Sequence, residues 1–320
     1  MRIQHLLGDL ARYQRIREHE LRSTIRIGGA AAAVLAFAGL VACTSQSTQG
    51  GATQQPAGQS SDVAPGKAAE LVPAELKAKG SIAVASASTN APMEFLDADG
   101  RTLIGFDIDF SDAIAASLGL KAEHVTSTFD AIIPGLAAGK YDLGMSGFFI
   151  TPAREQVVDF VPYLRDGSAL VVPGGNPLRL SMDPMSLCGH RVAGEKGSVQ
   201  GIEFLPAISK DCVAAGKPPV KTALFPKLDE AHLALTGGRA DAIMEDSVPS
   251  GYRASRSNGK YEVAPGEIYK PVMTGMALPK GSALAPALKA AISTLAADGT
   301  LERLMQKWSI PRTALLASYN

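Results

Sequence analysis

Arg154 follows two residues that are typical of a helix start. Thr151 is a residue type that caps helix N-termini and Pro152 suits the first helical position, so Arg154 is expected in the first turn. There its guanidinium would lie beside free backbone N–H groups, and together they can hold a carboxylate through paired hydrogen bonds. The alternative is a surface arginine that pairs with Glu155 or Asp159.

Two further positions have chemistry that depends on the elements around them. Gly197 and Ser198 follow a predicted strand, where glycine permits a tight loop and serine can cap the next helix. Ligands of parallel α/β sheets sit beyond the carboxyl ends of the strands, so this helix start either faces a ligand or serves only as a structural cap. Asp246 also follows a predicted strand, and a lone aspartate there is more often a turn former or a cap.

The N-terminal region has the composition of an export signal. Residues 1–26 contain six arginines, residues 27–41 are apolar, and Cys43 follows where cleavage is expected. Residues 40–43 (LVAC) resemble a bacterial lipoprotein box, which implies that residues 1–42 are removed and that Cys43 is lipidated. The alternative is a signal anchor with an incidental cysteine, but the apolar run is shorter than the roughly 20 residues that a spanning helix needs.

The segment after Cys43 lacks large apolar residues. Residues 44–66 are rich in Ser, Thr, Gln, Gly and Pro and cannot bury enough apolar surface to become ordered. We therefore assign residues 43–74 to the lipidated cysteine and a flexible linker. The whole chain has a net charge of zero, and the part after Cys43 has a net charge of −3, which argues against a nucleic-acid partner.

Two cysteines remain after Cys43. Cys188 and Cys212 form an even pair, which favours a disulfide in an oxidising compartment. Closing a loop of this size contributes roughly 3 kcal/mol of stability. The alternative is two buried free thiols. A metal site is not expected, because no histidine lies at ligand spacing beside both cysteines.

The rest of the chain alternates strand and helix patterns. The predicted strands are 81–86, 123–127, 141–146, 191–193, 221–225, 240–244 and 272–278, and the predicted helices are 110–118, 129–138, 198–204, 228–237, 284–298 and 301–308. Such units predict an α/β fold with mostly parallel sheets and helices on both faces. Two successive sets suggest two lobes, with a boundary near residues 173–177 (PGGNP).

Several stretches resemble the solute-binding proteins of ABC importers, in the family that binds amino acids (solute-binding protein family 3). In chain order they are 92–95 (PMEF), 105–109 (GFDID), 129–134 (FDAIIP), 139–143 (GKYDL), 150–154 (ITPAR), 197–198 (GS), 238–242 (GRADA), 298–300 (DGT) and 307–308 (KW). The resemblance implies a two-lobed periplasmic-binding-protein fold of type II, with two hinge strands. Lobe one would be 75–170 plus 274–320, and lobe two would be 171–273.

The resemblance also implies a binding site between the lobes. In the family, the arginine that matches Arg154 binds the α-carboxylate of the ligand, and the counterpart of Asp246 accepts hydrogen bonds from its α-ammonium group. Phe129 matches an aromatic residue that packs against the ligand side chain, although on its own it reads as a core residue. The implied ligand-contacting set is Asn90, Phe129, Ser146, Gly147, Phe149, Arg154, Ser198, Val199, Gln200 and Asp246.

Four positions depart from the family pattern. An aromatic residue is replaced by Asn90, two hydroxyl residues by Phe149 and Val199, and the acidic residue of basic-amino-acid binders by Ala87. The pocket is therefore expected to be less polar than usual. A cationic ligand side chain would lack its usual partner unless Glu245 or Asp130 compensates.

These features together imply a lipid-anchored extracytoplasmic protein that delivers a small polar solute, an amino acid or a derivative, to an ABC permease with its ATPase subunits. It is expected to be a monomer without a cofactor. A second hypothesis is an enzyme on the same scaffold, such as a small-acid dehydratase or a cell-wall lyase, which needs an acid or base in the cleft. Against it, His124, His190 and His232 lie beside no predicted site motif. A third hypothesis is a sensor ectodomain. Against it, no segment after Cys43 is predicted to cross a membrane.

Overall fold

The computed structural model describes residues 66–319, so the predicted signal peptide, Cys43 and most of the linker lie outside the described residues. Its strands are β1 (Ser81–Ser86), β2 (Thr89–Asn90), β3 (Glu94–Leu96), β4 (Leu103–Ile104), β5 (Lys121–Thr126), β6 (Leu143–Gly144), β7 (Val158–Pro173), β8 (Arg191–Glu195), β9 (Lys221–Phe225), β10 (Ala242–Asp246), β11 (Tyr261–Val263) and β12 (Tyr269–Pro279).

The helices of the same region alternate with these strands. They are α1 (Lys67–Glu70), α2 (Ala74–Lys79), α3 (Phe106–Ser117), α4 (Phe129–Ala137), α5 (Pro152–Glu155), α6 (Leu205–Ala214), α7 (Leu228–Thr236), α8 (Ser247–Arg256), α9 (Ala285–Ala297) and α10 (Thr300–Lys307). Short 3-10 turns occur at Pro184–Leu187 and Arg312–Ala314, and a π-helical turn at Gln200–Phe204 precedes α6. Within residues 66–319, no helix combines the length and the apolar character needed to cross a membrane.

The main sheet consists of two parallel halves connected by two long antiparallel strands. In the first half β1 pairs in parallel with β5 and β6, and in the second half β8 pairs in parallel with β9 and β10. Between them β7 and β12 run antiparallel to each other, with irregular register between Tyr269 and Val272 and between Thr274 and Gly275. The chain therefore crosses between the halves on these two strands, whose irregularities are suited to bending.

Each half of the sheet has its own apolar core. The core of the first half includes the stacked rings of Phe106 and Phe110, 5.4 Å apart, and the ring of Tyr163, 6.1 Å from that of Phe110. Each large side chain buried in this way contributes about 1.5–3 kcal/mol. The main cluster of the second half includes Leu205 and Ile208 of α6. Separate cores allow each half to keep its shape while the strands between them bend.

The disulfide is confirmed between Cys188 and Cys212, whose Cα atoms are 5.6 Å apart. Cys212 lies in α6 and is fully buried, and Cys188 follows the turn Pro184–Leu187. The bond therefore fastens α6 to the loop that leads into β8.

Several stretches differ from the sequence prediction. Residues 67–74, which we assigned to the flexible linker, are largely helical, and Ala68 and Val72 are buried in the core of the first half. They are apolar residues beside α9, so this stretch gains the burial that the preceding Ser- and Gln-rich segment cannot gain. Helix α8 and the strands β2, β3, β4, β7 and β11 were not predicted.

Candidate ligand-binding site

A cleft between the two halves encloses about 360 Å³, part of it open to solvent. All ten residues of the predicted ligand-contacting set line it, with four that were not in that set. The lining is formed by Asn90, Phe129, Ser146, Gly147, Phe149, Arg154, Glu195, Ser198, Val199, Gln200, Leu228, Met244, Glu245 and Asp246. The fold thus brings residues from distant parts of the chain to one place.

The position of Arg154 follows from its local sequence. Thr151 caps α5 by accepting a hydrogen bond from the backbone N–H of Arg154 at 3.3 Å, and Pro152 occupies the first helical position, as predicted. The guanidinium donates through Nη1 to the carbonyl of Phe149 at 2.8 Å and through Nη2 to the carbonyl of Gly197 at 3.0 Å. The second bond joins the two halves across the cleft. Neither Glu155 nor Asp159 pairs with Arg154 among residues 66–319.

Aromatic rings pack beside this guanidinium. Its Cζ lies 5.5 Å from the ring centre of Phe129 and 5.6 Å from that of Phe148, and the two rings stack at 4.8 Å. Phe148 is fully buried and does not line the cleft. Burial lowers the pKa of Arg154 to about 10, while the negative charges of Asp246 and then Glu203 raise it, so the side chain stays charged at neutral pH.

The first-half wall rests on two buried acids. Ser146 donates to Oε1 of Glu94 at 2.7 Å, and the backbone N–H of Gly147 donates to Oδ2 of Asp107 at 3.1 Å. Burial raises the pKa of Asp107 to about 7 and, together with the charge of Asp107, raises that of Glu94 well above its usual range. Gly147 adopts a φ of +59°, which favours glycine. The wall is therefore held from behind by two carboxyl groups whose pKa values are raised by burial.

The side chains of Asn90 and Asp246 both lie close to Gly147. A Cβ atom on Gly147 would lie 3.3 Å from Oδ2 of Asp246 and 3.4 Å from Nδ2 of Asn90. The Oδ1 atom of Asn90 is buried and accepts no hydrogen bond from any residue that the structure describes. An acceptor without a donor at this point can receive a hydrogen bond from a bound molecule.

The second-half wall orients Asp246. Gln200 donates through Nε2 to Oδ1 of Asp246 at 2.7 Å and to the hydroxyl of Ser168 at 2.9 Å. Burial, followed by the charge of Asp166, raises the pKa of Asp246 well above its ordinary value. Ser198 accepts a hydrogen bond from the N–H of Gly201 at 3.1 Å, but Val199, not Ser198, is the N-cap of the π-helical turn.

Two acids line the cleft besides Asp246: Glu245, which was named from the sequence only as a possible partner of a cationic side chain, and Glu195, which was not identified. Glu195 ends β8 and Glu245 lies in β10, one residue before Asp246. Both carboxylates sit at the carboxyl ends of parallel strands, a position that could have marked them in advance. Glu195 and Glu245 add polar lining that the expectation of a less polar pocket did not include.

Glu245 also connects the cleft to a histidine. His232 of α7 is buried, and its Nε2 lies 2.9 Å from Oε2 of Glu245. Burial raises the pKa of Glu245, but His232, Arg253 and Ser250 outweigh it and leave the pKa below its ordinary value. Our statement that no histidine lies beside a site motif was wrong for His232.

Further contacts join the two halves at the mouth of the cleft. Lys196 pairs with Asp130 at 2.8 Å, so Asp130 is engaged outside the cleft lining and does not compensate for Ala87. The backbone N–H of Leu228 donates to the hydroxyl of Thr89 at 3.3 Å. These contacts, with the bond from Arg154 to Gly197, bridge the two halves. In the region 66–319, no three His, Cys, Asp or Glu side chains are grouped so that they could hold a metal ion.

Comparison with known proteins agrees with this geometry. Residues 82–311 match the bacterial extracellular solute-binding proteins, family 3. The chain is 34% identical over 242 residues to the arginine-binding protein ArgT of Corynebacterium glutamicum, a match that covers 75% of this chain and 78% of that protein.

Solved structures show the same fold. The P235GK mutant of ArgBP from T. maritima has a TM-score of 0.67 at 30% identity, covering 76% of this chain and 100% of that chain. An ancestral arginine-binding protein bound to arginine has a TM-score of 0.64 at 34% identity, covering 72% and 98%. The two-lobed α/β fold of type II periplasmic binding proteins, expected from the sequence, is confirmed. This chain belongs to the bacterial extracellular solute-binding proteins, family 3.

Proposed function

We propose that the cleft binds an α-amino acid and that the protein is the substrate-binding component of an ABC importer. The observation that carries the proposal is that a guanidinium, Arg154, and a carboxylate, Asp246, line the same cleft. An α-carboxylate would bind Arg154 through paired charge-assisted hydrogen bonds, and an α-ammonium group would donate to Asp246 and to Oδ1 of Asn90. Arginine is the first ligand to test, because the relatives are named for it.

We propose that the protein has two lobes joined by a hinge. Lobe one would be residues 75–170 plus 274–320, and lobe two would be residues 171–273. We propose that β7 and β12 bend when a ligand is held by both lobes. The bond from Arg154 to Gly197 and the pair of Lys196 with Asp130 favour the closed form, since each has one partner in each lobe. Closure would then present a surface that a permease with ATPase subunits recognises.

We propose that the mature protein is a monomer attached to the outer face of the cell membrane through lipidated Cys43. Residues 44–66 would separate the folded part from the membrane. Two or more acyl chains give stable anchoring. Membrane fractionation of Cys43→Ser tests this, because the variant should leave the membrane fraction, and retention there would contradict the anchor. Analytical ultracentrifugation of the protein without the lipid tests the monomer.

Calorimetric titration with the twenty common amino acids tests the binding function. We expect at least one L-amino acid to bind, with its D-enantiomer much weaker, because Arg154 and Asp246 fix the two α-substituents. Asp246→Asn should weaken binding at least thirtyfold, about 2 kcal/mol, since it removes the counter-charge of the ammonium group. Asp211→Asn, on the outer end of α6, is the matched control. No binding across the panel, or equal binding to Asp246→Asn, would contradict the proposal.

Binding without turnover is part of the same proposal. Mass spectrometry of the ligand after long incubation should recover it unchanged. Recovery of a dehydrated or cleaved product would favour the enzyme hypothesis instead.

A further inference from the structure

Three carboxylates line the cleft within residues 66–319, and they differ in their side-chain partners. Glu245 has His232 at 2.9 Å, and Asp246 accepts from Gln200 at 2.7 Å. The carboxylate of Glu195 is only 7% exposed, and it forms no hydrogen bond or ion pair with any residue between 66 and 319. A buried carboxylate without a partner is unfavourable, so this one calls for a physical explanation.

The neighbouring cations form no ion pair with Glu195 among residues 66–319. Arg253 donates to a backbone carbonyl and to Asp229 at 3.2 Å, and its Nε is buried without a hydrogen-bond partner in the same region. Lys196 pairs with Asp130 at 2.8 Å, and Arg154 donates to two backbone carbonyls. A cation held in the cleft would give this carboxylate the ion-pair partner that these side chains do not give it.

We propose that Glu195 is the specificity-determining residue that recognises a cationic ligand side chain. The proposal rests on the proposed function, because Arg154 and Asp246 have to hold the α-amino-acid part. A guanidinium suits Glu195 best, since it can donate two parallel hydrogen bonds to one carboxylate. Leu228 and Met244 supply apolar lining for the methylene groups of such a side chain. Glu195 thus replaces the acidic residue that this chain lacks at position 87.

The charges around Glu195 give this recognition a proton signature. Burial, followed by the charge of Glu245, raises the pKa of Glu195 to about 8. Asp130 and Asp229 raise it further and Arg253 lowers it. At pH 7 the empty cleft therefore holds the acid form in most molecules. A bound cation favours the carboxylate, so binding should release a proton to solvent.

The test compares arginine with citrulline, its neutral isostere, by calorimetric titration. The wild type should prefer arginine at least a hundredfold. Glu195→Gln should weaken arginine at least thirtyfold while citrulline changes less than threefold. Glu75→Gln, at an exposed acid of α2, is the matched control and should leave the arginine-to-citrulline ratio unchanged. A Glu195→Gln ratio within threefold of the wild type would overturn the proposal, as would a wild type that binds only neutral amino acids.

Proton release provides a second readout that needs no variant. In buffers of different ionisation enthalpy at pH 7, arginine should release about 0.5 to 1 proton more than citrulline does, because a proton released from Asp246 is common to both ligands and the difference belongs to a group with a pKa near 8. Equal proton release with the two ligands would overturn the role of Glu195, even if Glu195→Gln failed to fold. If the wild type bound no amino acid at all, the proposed function itself would fail, which is a different result from binding without charge selectivity.

Discussion

The buried guanidinium of Arg154 is held in one orientation by its contacts. It lies against the rings of Phe129 and Phe148 and donates to two carbonyls that belong to different halves of the molecule. These contacts hold a planar fork in one orientation, and the five N–H groups of a guanidinium leave donors for a ligand carboxylate. A lysine would keep the charge and lose the fork.

Arg154→Lys should therefore weaken amino-acid binding at least thirtyfold, about 2 kcal/mol, and should also lower the thermal stability of the ligand-free protein, because an ammonium group cannot keep both carbonyl contacts of the guanidinium. Calorimetric titration and thermal melting would measure the two effects. Arg165→Lys is the control, because Arg165 is an exposed arginine on β7, and it should bind like the wild type. Wild-type affinity in Arg154→Lys would show that the charge alone is used.

The sequence predicted the residues whose role depends on local signals. Thr151 and Pro152 place Arg154 whatever the rest of the chain does, so that position could be predicted. The role of Glu195 could not be predicted in this way, because its raised pKa arises from burial and from neighbours such as Glu245 on another strand. The signal that was present, an acidic residue ending an apolar strand, becomes informative only once the strands are known to be parallel neighbours.

At the scale of elements, short parallel strands and their helices were predicted to within a few residues. The 16-residue strand β7 was not, because Pro162 and Gly167 lie inside it and both residue types normally interrupt strands. Here Pro162 pairs with Gly275 at an irregularity, and Gly167 lies where β12 passes closely. Pro162 and Gly167 make β7 difficult to predict from the sequence. The same two residues suit a strand that bends between two halves.

The loop after β8 is built for close approach to α4. Gly197 has a φ of +81°, and a Cβ atom there would lie 2.8 Å from Cβ of Asp130 in the opposite half. Gly197→Ala should weaken ligand binding about tenfold or more, because the added methyl group opposes closure. Gly216→Ala is the matched control, since Gly216 has a similar φ of +69° and open space around its Cβ position.

Titrations and urea unfolding of both variants would separate the two contributions. Both should lose about 1 kcal/mol of stability from backbone strain. Only Gly197→Ala should lose affinity. Equal affinities in the two variants would mean that the halves do not approach this closely when a ligand is bound.

Across the whole molecule, acids with raised pKa values gather at and behind the cleft. Burial raises the pKa to about 6 for Asp166, about 7 for Asp107 and about 8 for Glu195, and it raises those of Glu94 and Asp246 well above their usual range. The acids with lowered pKa values titrate below pH 4.5 and do not change between pH 5 and pH 8. They are Asp99, Asp130, Asp159, Asp241 and Glu245.

The stability of the ligand-free protein should therefore fall as the pH rises from about 5 to about 8. A folded-state pKa above the unfolded value means that the folded protein binds more protons in this window, so the free energy of unfolding decreases with pH. Each such acid contributes up to about 1.4 kcal/mol per pH unit between its unfolded-state pKa and its folded-state pKa. Urea unfolding at pH 5, 6, 7 and 8 measures the slope. Glu195→Gln should flatten it most between pH 5 and 7, below the folded-state pKa of about 8, and a saturating ligand should flatten it as well, because its cationic groups stabilise the carboxylates of Glu195 and Asp246. A stability that stays constant or rises over this range would show that these acids are ionised in the empty cleft, and the site would then lack the proton that arginine is expected to displace.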